Sequence, residues 1–164
     1  MAELTVLEAK LGEVLGLAMA AQAATKKVEG FVEDGDDDIK QALQQMREDA
    51  AETQQRCEDV ASSFEGKKTA ISEKGREVKQ KVEKMMTTYL DGEKDPLDGF
   101  EFLEMAEAGE LGHWEIVHEV ASDAGASNVV ELAEWARGVQ RKHVELTKQG
   151  ALKLAREEDP NEPA

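Results

Sequence analysis

The sequence predicts an all-helical protein, a bundle of four long helices with one additional connecting helix. Three observations support this fold class. Apolar residues recur every three or four positions along five successive segments, which is the spacing of one face of an α-helix. No segment alternates apolar and polar residues as a half-buried strand would. Aromatic residues make up only 4% of the chain, so its core consists mainly of Ala, Leu, Val and Met, which favours closely packed helices over a sandwich or barrel.

The first predicted helix covers about residues 3–32, where the apolar stripe has helical spacing throughout. Small residues form a row along this helix at Gly12, Gly16, Ala20 and Ala24. Such a row permits a neighbouring helix to approach closely. We therefore expect one helix of the bundle to pack tightly against this part of the chain.

The acidic segment 33–38 ends the first helix and offers aspartate caps to the second. An EF-hand loop is excluded here, because Gln45 stands where the twelfth loop position requires glutamate. The second helix continues to about Phe64 and the third covers about residues 69–90. Five residues of the third helix are predicted to point inward: Ile71, Val78, Val82, Met85 and Tyr89.

The clearest turn in the sequence is the segment 91–96, which combines Asp, Gly and Pro. The fourth predicted helix follows at about 96–123, and Gly125 is suited to cap its C-terminus. A fifth helix covers about residues 128–156. The five predicted helices correspond to the five periodic segments of the chain.

Length and composition limit the possible functions. A chain of 164 residues favours one domain, which we place at residues 1–157, followed by a disordered acidic tail at 158–164. The net charge of −16 argues against nucleic acid or an anionic membrane surface as partner. No secretory signal pattern opens the chain, and its most apolar segment, 11–25, is too short to cross a bilayer. The single cysteine, Cys57, predicts a buried free thiol in a reducing, cytoplasmic protein.

The fourth helix carries glutamates on its apolar stripe. From Phe100 and Leu103, helical spacing leads to Glu107 and Glu110 before Trp114 restores the apolar pattern. An unpaired carboxylate inside a bundle is costly and would normally take up a proton. These two glutamates therefore require partners.

Two helices offer residues with the spacing of metal ligands. Carboxylate-bridged metal centres in four-helix bundles use a glutamate followed three positions later by a histidine, together with a similar pair on another helix. The fourth helix supplies two glutamates and a histidine on one face, and the fifth supplies an inward histidine with a glutamine one turn earlier. The candidate metal ligands are Glu107, Glu110, His113, Gln140 and His143.

Two segments, IKQALQQMREDAAETQQRCEDV and GHWEIVHEVASDAG, resemble the ferritin-like superfamily. The likeness is to its small bacterial stress-associated members, which carry a Glu-His-aromatic-Glu-Ile run in this helix, and residues 113–116 match the run after its first glutamate. The resemblance implies a ferritin-like four-helix bundle with a connecting helix. It also implies iron, manganese or zinc as cofactor, with oxidation or storage chemistry.

The chain departs from the family's pattern at three positions. Gly112 stands where those relatives have the first glutamate, Met46 or Arg47 where they have a histidine, and Gln140 where a glutamate is expected. These departures remove charge and donor atoms that a di-iron centre needs. We therefore expect a bundle without an intact di-iron centre, with a structural or stress-related role.

The alternative is a metal-binding protein whose site has shifted to the Glu/His candidates of the fourth and fifth helices. Such a site would need an acid from each of the first two helices, and the residues available are Glu8 or Glu13 and Asp49 or Glu52.

The same residues also have interpretations without a metal. Glu107 and Glu110 could turn outward on a slightly rotated helix, or pair inside the bundle with an arginine. His143 could be a neutral core histidine hydrogen-bonded to one of the two glutamates. The arginines considered as internal partners are Arg47, Arg56 and Arg137.

The sequence assigns no catalytic residue. It lacks a nucleophile paired with a base, a phosphate-binding loop and a cysteine-based zinc site, so enzymatic activity stays open. The apolar seams exceed what four mutually buried helices need, and exposed seams of that length tend to pair. We therefore expect a homodimer.

Overall fold

Five α-helices make up the part of the protein that the structure describes. The computed structural model describes residues 2–92 and 94–163, and no strand occurs among them. The prediction of an all-helical chain with five helices is confirmed, and each helix ends within about one turn of its predicted bounds. The helices are α1 (Val6–Glu29), α2 (Asp37–Ala61), α3 (Lys68–Tyr89), α4 (Pro96–Asp123) and α5 (Ser127–Glu157).

Four of the helices surround a common core, and α3 packs on the outer side of α1, from which Ile71 and Met86 reach the core. Helix α1 packs on α2 and α4, and α5 packs on the same two helices. Each of these neighbours is antiparallel; for example, Lys153 near the end of α5 bonds to Asp38 near the start of α2. Helix α3 runs parallel to α1, because Gly12 lies against Lys74 and Gly16 against Val78. It thereby returns the chain to the end of the bundle where α4 begins.

The apolar core is divided into two parts along the bundle. One part contains Leu11 of α1, Cys57 of α2 and Trp114 of α4, all fully buried. The other contains Leu43 of α2 and Phe100 of α4, near the opposite end. Polar side chains lie between the two parts, at the middle of the bundle. This division places the candidate site residues of α4 and α5 at one level.

Small residues bring α1 and α3 together, as the sequence predicted. A methyl group added at Gly12 would lie 2.8 Å from Cβ of Lys74 and 2.9 Å from the carbonyl oxygen of Ile71. Gly75 of α3 would meet Leu15 of α1 at 3.0 Å in the same way. These distances are shorter than ordinary van der Waals contact, so only glycine fits at the crossing.

Local capping rules explain the start of α1 and the end of α4, but not the start of α2. Thr5 and Glu8 form a capping box at the start of α1. Gly125 has a φ of +66° after α4, and the flanking amides bond back to Ala121 and Ser122 in a Schellman arrangement. Asp36, predicted to cap α2, makes no side-chain cap bond.

The inward face predicted for α3 is wrong at two positions. Ile71 is buried, but Met85 is 64% exposed and Tyr89 is 45% exposed, while Met86 is buried instead. The physical reason is the position of α3 outside the four-helix core, where one neighbouring helix covers only part of its surface. The C-terminal half of α3 therefore has less cover than its amphipathic pattern implies.

The remaining predictions concern the ends of the chain and membranes. Residues 158–163 follow α5 outside any helix and are exposed. The predicted domain 1–157 and tail 158–164 also include Met1, Glu93 and Ala164, which lie outside the described residues. Among the helices described, none is long and apolar enough to cross a membrane.

Candidate functional site

A group of polar residues, all buried except the partly exposed Asp49, lies between the two apolar parts of the core. We call it the polar cluster, and it consists of Asp49 on α2, Glu107 and Glu110 on α4, and Gln140 and His143 on α5. Three of the four bundle helices thus contribute to it. Four of the five predicted candidate ligands belong to this cluster.

The glutamates of α4 point into the bundle because the helix is fixed by apolar residues on either side of them. Leu103 and Trp114, one turn before and after, are fully buried. Glu107 is 2% exposed and Glu110 is 5% exposed. The alternative in which α4 rotates these side chains outward is therefore wrong.

His143 lies between two carboxylates from different helices. Its Nδ1 is 3.1 Å from Oε2 of Glu107 and its Nε2 is 2.9 Å from Oδ2 of Asp49. An ionised carboxylate only accepts hydrogen bonds, so two carboxylates facing the two ring nitrogens favour an imidazolium, in which both nitrogens donate. Gln140 donates a further bond of 2.9 Å from Nε2 to the same oxygen of Glu107.

The charge on His143 follows from two opposing effects. Burial disfavours the imidazolium, but the hydrogen bonds and negative charges of Glu107 and Asp49 outweigh it and raise the pKa of His143. His143 is a core histidine hydrogen-bonded to a glutamate, as one interpretation of the sequence predicts, and that glutamate is Glu107. The same two carboxylates favour the charged form of the ring over the neutral form.

Glu110 has a different environment from Glu107. Nε1 of Trp114 donates to its Oε1 over 3.4 Å, which is a long hydrogen bond. Burial, together with the nearby negative charge of Glu107, raises the pKa of Glu110 well above its usual range. Burial is also the main cause that raises the pKa of the Cys57 thiol. Glu110 is therefore held toward its neutral form, beside an ionised network.

His113 does not join the polar cluster. It is half-buried, and its Nδ1 donates to the carbonyl oxygen of Gly109 over 2.9 Å, one turn earlier in α4. Because this carbonyl accepts only, Nδ1 carries a proton in this hydrogen bond. The spacing of three residues places Glu110 and His113 on one side of α4 without bringing His113 to the other candidate ligands.

The acids proposed from α1 and α2 are mostly engaged elsewhere. Glu8 belongs to the capping box of α1, and Glu13 pairs with Lys10 at 2.8 Å. Glu52 pairs with Arg56 at 2.7 Å. Asp49 is the one that reaches the cluster.

The arginines considered as internal partners do not pair with the α4 glutamates. Arg47 pairs with Glu29 at 2.6 Å. Arg56 pairs with Glu52 and lies 4.1 Å from the ring centre of Trp135. The counter-charge of Glu107 is His143 instead.

The arrangement does not fit a di-iron centre. Within residues 2–92 and 94–163, no group of three or more His, Cys, Asp or Glu side chains is placed to hold a metal ion. His143 uses both nitrogens for hydrogen bonds, and Gln140 offers its amino group to Glu107. The side chains of the polar cluster hydrogen-bond to one another across the helices, and their possible ligand atoms do not converge on a common point.

A cavity of about 410 Å³ adjoins the polar cluster between α1, α3 and α4. Glu107, Glu110 and His113 line it together with apolar side chains. The small residues Ala20 and Ala24 on α1 are one sequence signal of this cavity, although the row that contains them predicts close packing. The sequence offers Asp49 and Glu52 as alternative acids on α2 and does not select between them.

Comparison of the chain with protein-family models, curated proteins and solved structures gives no match.

Proposed function

We propose that the chain is a ferritin-like four-helix bundle with one connecting helix, in which the polar cluster replaces a di-iron centre. Its role is structural or stress-related. The observation that carries this proposal is the position of His143, whose two ring nitrogens both face carboxylates of other helices. An imidazole engaged in this way has no lone pair left for a metal ion.

The order of the helices supports the ferritin-like assignment. The hairpin of α1 and α2 and the hairpin of α4 and α5 are joined by a long connection that contains α3. A bundle of two hairpins with one long crossover is the connectivity of ferritin-like folds. The motif at residues 113–116 supports the same assignment, and its relatives support the stress-related role.

The polar cluster supports a structural role because it joins three helices at their midpoint. Asp49, Glu107 and His143 come from α2, α4 and α5, and each bond between them crosses a helix boundary. Loss of one partner would leave a buried charge without compensation, which is strongly unfavourable. The cluster therefore favours one register of the helices over shifted arrangements.

Elemental analysis tests this proposal directly. The protein is purified without chelators and without a histidine tag, and we expect no stoichiometric iron, manganese or zinc. Stoichiometric metal in the wild type that disappears in Glu107→Ala and His143→Ala would overturn the proposal. His118→Ala is the matched control, because His118 pairs with Glu134 on the surface, away from the cluster.

The alternative function is metal binding by Glu and His residues, with oxidation or storage chemistry on iron, manganese or zinc. It is favoured by one observation, that Glu107, Glu110 and His113 line the same cavity. Under this alternative, added metal raises the melting temperature of the wild type but not of Glu110→Ala or His143→Ala. Under the structural proposal, metal has no effect on any of the three proteins.

We also propose that the protein is a cytoplasmic homodimer. Large apolar side chains are exposed on α4 and α5, at Ile116 and Leu152. Such residues support association of two copies. The single cysteine, a buried free thiol, is consistent with a reducing compartment.

A further inference from the structure

The cavity between α1, α3 and α4 exists because small residues meet there. Ala20 and Ala24 of α1 face Ala106 and Gly109 of α4 across it. Larger side chains at these positions would fill the space. A volume of about 410 Å³ falls within the range of about 300–1,000 Å³ that small-molecule sites occupy.

Helix α3 forms the outer wall of the cavity. Its N-terminal half is held against α1 at the Gly12, Gly16 and Gly75 crossing. Val78 lies at the end of this crossing, where a Cβ added at Gly16 would be 2.7 Å from its Cβ, and Val78 and Val82 line the cavity that follows. The space therefore opens where the row of glycines ends.

The mouth of the cavity lies between α3 and α4. Met85 of α3 and Met105 of α4 line it, and both are more than half exposed. Methionine side chains are flexible and adapt to different apolar surfaces. An apolar molecule could thus enter between the two helices without unfolding either of them.

The inner end of the cavity is acidic. Glu107 and Glu110 line it, and Glu107 belongs to the network in which one imidazolium, His143, stands between two carboxylates. That network contains two carboxyl groups and one imidazole. A lysine or arginine is absent from the lining among the described residues.

We infer that this cavity binds a small apolar molecule that carries one amino group, with the ammonium against Glu107 and Glu110 and the hydrocarbon part between α1 and α3. This goes beyond the proposed function and does not depend on it. The wall is apolar along α1 and α3, so it favours a hydrocarbon. The acidic end favours a cation, because a bound ammonium offsets the burial and the charge of Glu107 that raise the pKa of Glu110. The ammonium then forms charge-assisted hydrogen bonds with both carboxylates.

An anionic ligand of the same size does not fit these charges. A fatty acid would place its carboxylate beside Glu107 and Glu110, where like charges repel in a buried environment. The net charge of −16 on the chain adds to this preference for cations. The headgroup, rather than the hydrocarbon, therefore decides which ligand binds.

Isothermal titration calorimetry with three ligands of one chain length tests the inference. Octylammonium, 1-octanol and octanoate share a tail and differ in headgroup charge. We expect octylammonium to bind at least roughly tenfold more tightly than octanoate, with 1-octanol between them. Octanoate binding as tightly as octylammonium, or no binding of any of the three, would overturn the inference.

Two variants locate the headgroup and the tail. Glu110→Gln removes a carboxyl group without changing its shape, so octylammonium is expected to bind roughly tenfold more weakly while 1-octanol is unaffected. Equal octylammonium binding by the wild type and this variant would rule out the assigned position of the ammonium.

Gly109→Leu places a side chain at the mouth, on the face of α4 between Met105 and His113. An added Cβ at Gly109 has no atom within 4 Å, so the variant is expected to fold. Gly112→Leu is the matched control, because its Cβ is equally free and Gly112 does not line the cavity. We expect octylammonium affinity to fall in the first variant and to stay unchanged in the second. Unchanged affinity in both would show that the ligand binds elsewhere.

Discussion

Glu107 and His143 join α4 to α5 through a hydrogen bond of 3.1 Å between Oε2 and Nδ1, and both side chains are only 2% exposed. His143 extends the connection to Asp49 on α2 over 2.9 Å. Charges this deep in a bundle are unfavourable unless they are paired and hydrogen-bonded. The pairing explains why a helix with an otherwise apolar stripe tolerates glutamates on it.

Replacement of His143 by alanine is expected to destabilise the fold. The change leaves Glu107 and Asp49 without their shared cation, so the free energy of unfolding should fall by roughly 3 kcal/mol. Urea denaturation followed by far-ultraviolet circular dichroism measures it. His118→Ala serves as control and should change the value by less than about 0.5 kcal/mol. Identical midpoints for wild type and His143→Ala would contradict the account.

The stability of the fold is expected to decrease as pH rises. The pKa of His143 is raised in the folded state, so its contribution is complete below the ordinary value of 6.5 and is lost as pH rises through the folded pKa. Glu110 has a raised pKa as well, and its contribution is complete below the ordinary value of 4.5 and decreases above it. Both groups therefore act in the same direction. Denaturation at several pH values between about 5 and 8 measures the trend.

The variant Glu110→Gln isolates the part of this trend that belongs to one group. Glutamine stays neutral, so the variant lacks the cost of ionising a buried carboxyl group. Its stability relative to the wild type should increase steadily with pH. A difference between the two proteins that is independent of pH would show that Glu110 does not titrate abnormally.

The crossing of α1 and α3 is expected to be intolerant of side chains. At Gly16 an added Cβ would overlap the carbonyl oxygen of Gly75, so Gly16→Val should cost roughly 1–3 kcal/mol of stability. Gly138→Ala is the control, because no atom lies within 4 Å of its added Cβ. This control should instead stabilise α5 by about 0.5–1 kcal/mol. Thermal denaturation of both variants decides whether the crossing is as close as described.

Self-association is expected from the exposed apolar residues. Light scattering at micromolar concentration should give about twice the chain mass of 18.0 kDa. Ile116→Glu or Leu152→Glu should shift the protein toward monomer, because each places a charge on an apolar contact surface. A wild-type protein that stays at the mass of one chain would rule out the dimer.

The sequence was sufficient for the fold class and for part of the site. Glu107 and Glu110 could be placed inside because their spacing continues the stripe through Leu103 and Trp114. The partner of His143 on α2 could not be determined, because Asp49 and Glu52 lie three positions apart. The rotation of α2 about its own axis, relative to α5, determines which of the two reaches His143.

On the side of α4 that faces α1 and α3, the spacing of residues in the sequence was insufficient to predict the cavity. The row Gly12, Gly16, Ala20 and Ala24 has two different outcomes along one helix. At the glycines α3 approaches closely, whereas at the alanines a space remains. The difference depends on the path of α3, which is not encoded in the row itself. The same path leaves Met85 exposed.

The protonation state of His143 tests the central claim most directly. Two-dimensional proton–nitrogen NMR of the imidazole rings reports on each ring nitrogen, and His143→Gln assigns the signals. The account predicts that Nδ1 and Nε2 of His143 both carry protons at neutral pH and that added zinc leaves their signals unchanged. A ring with one unprotonated nitrogen at neutral pH, or signals of His143 that shift when zinc is added, would contradict it.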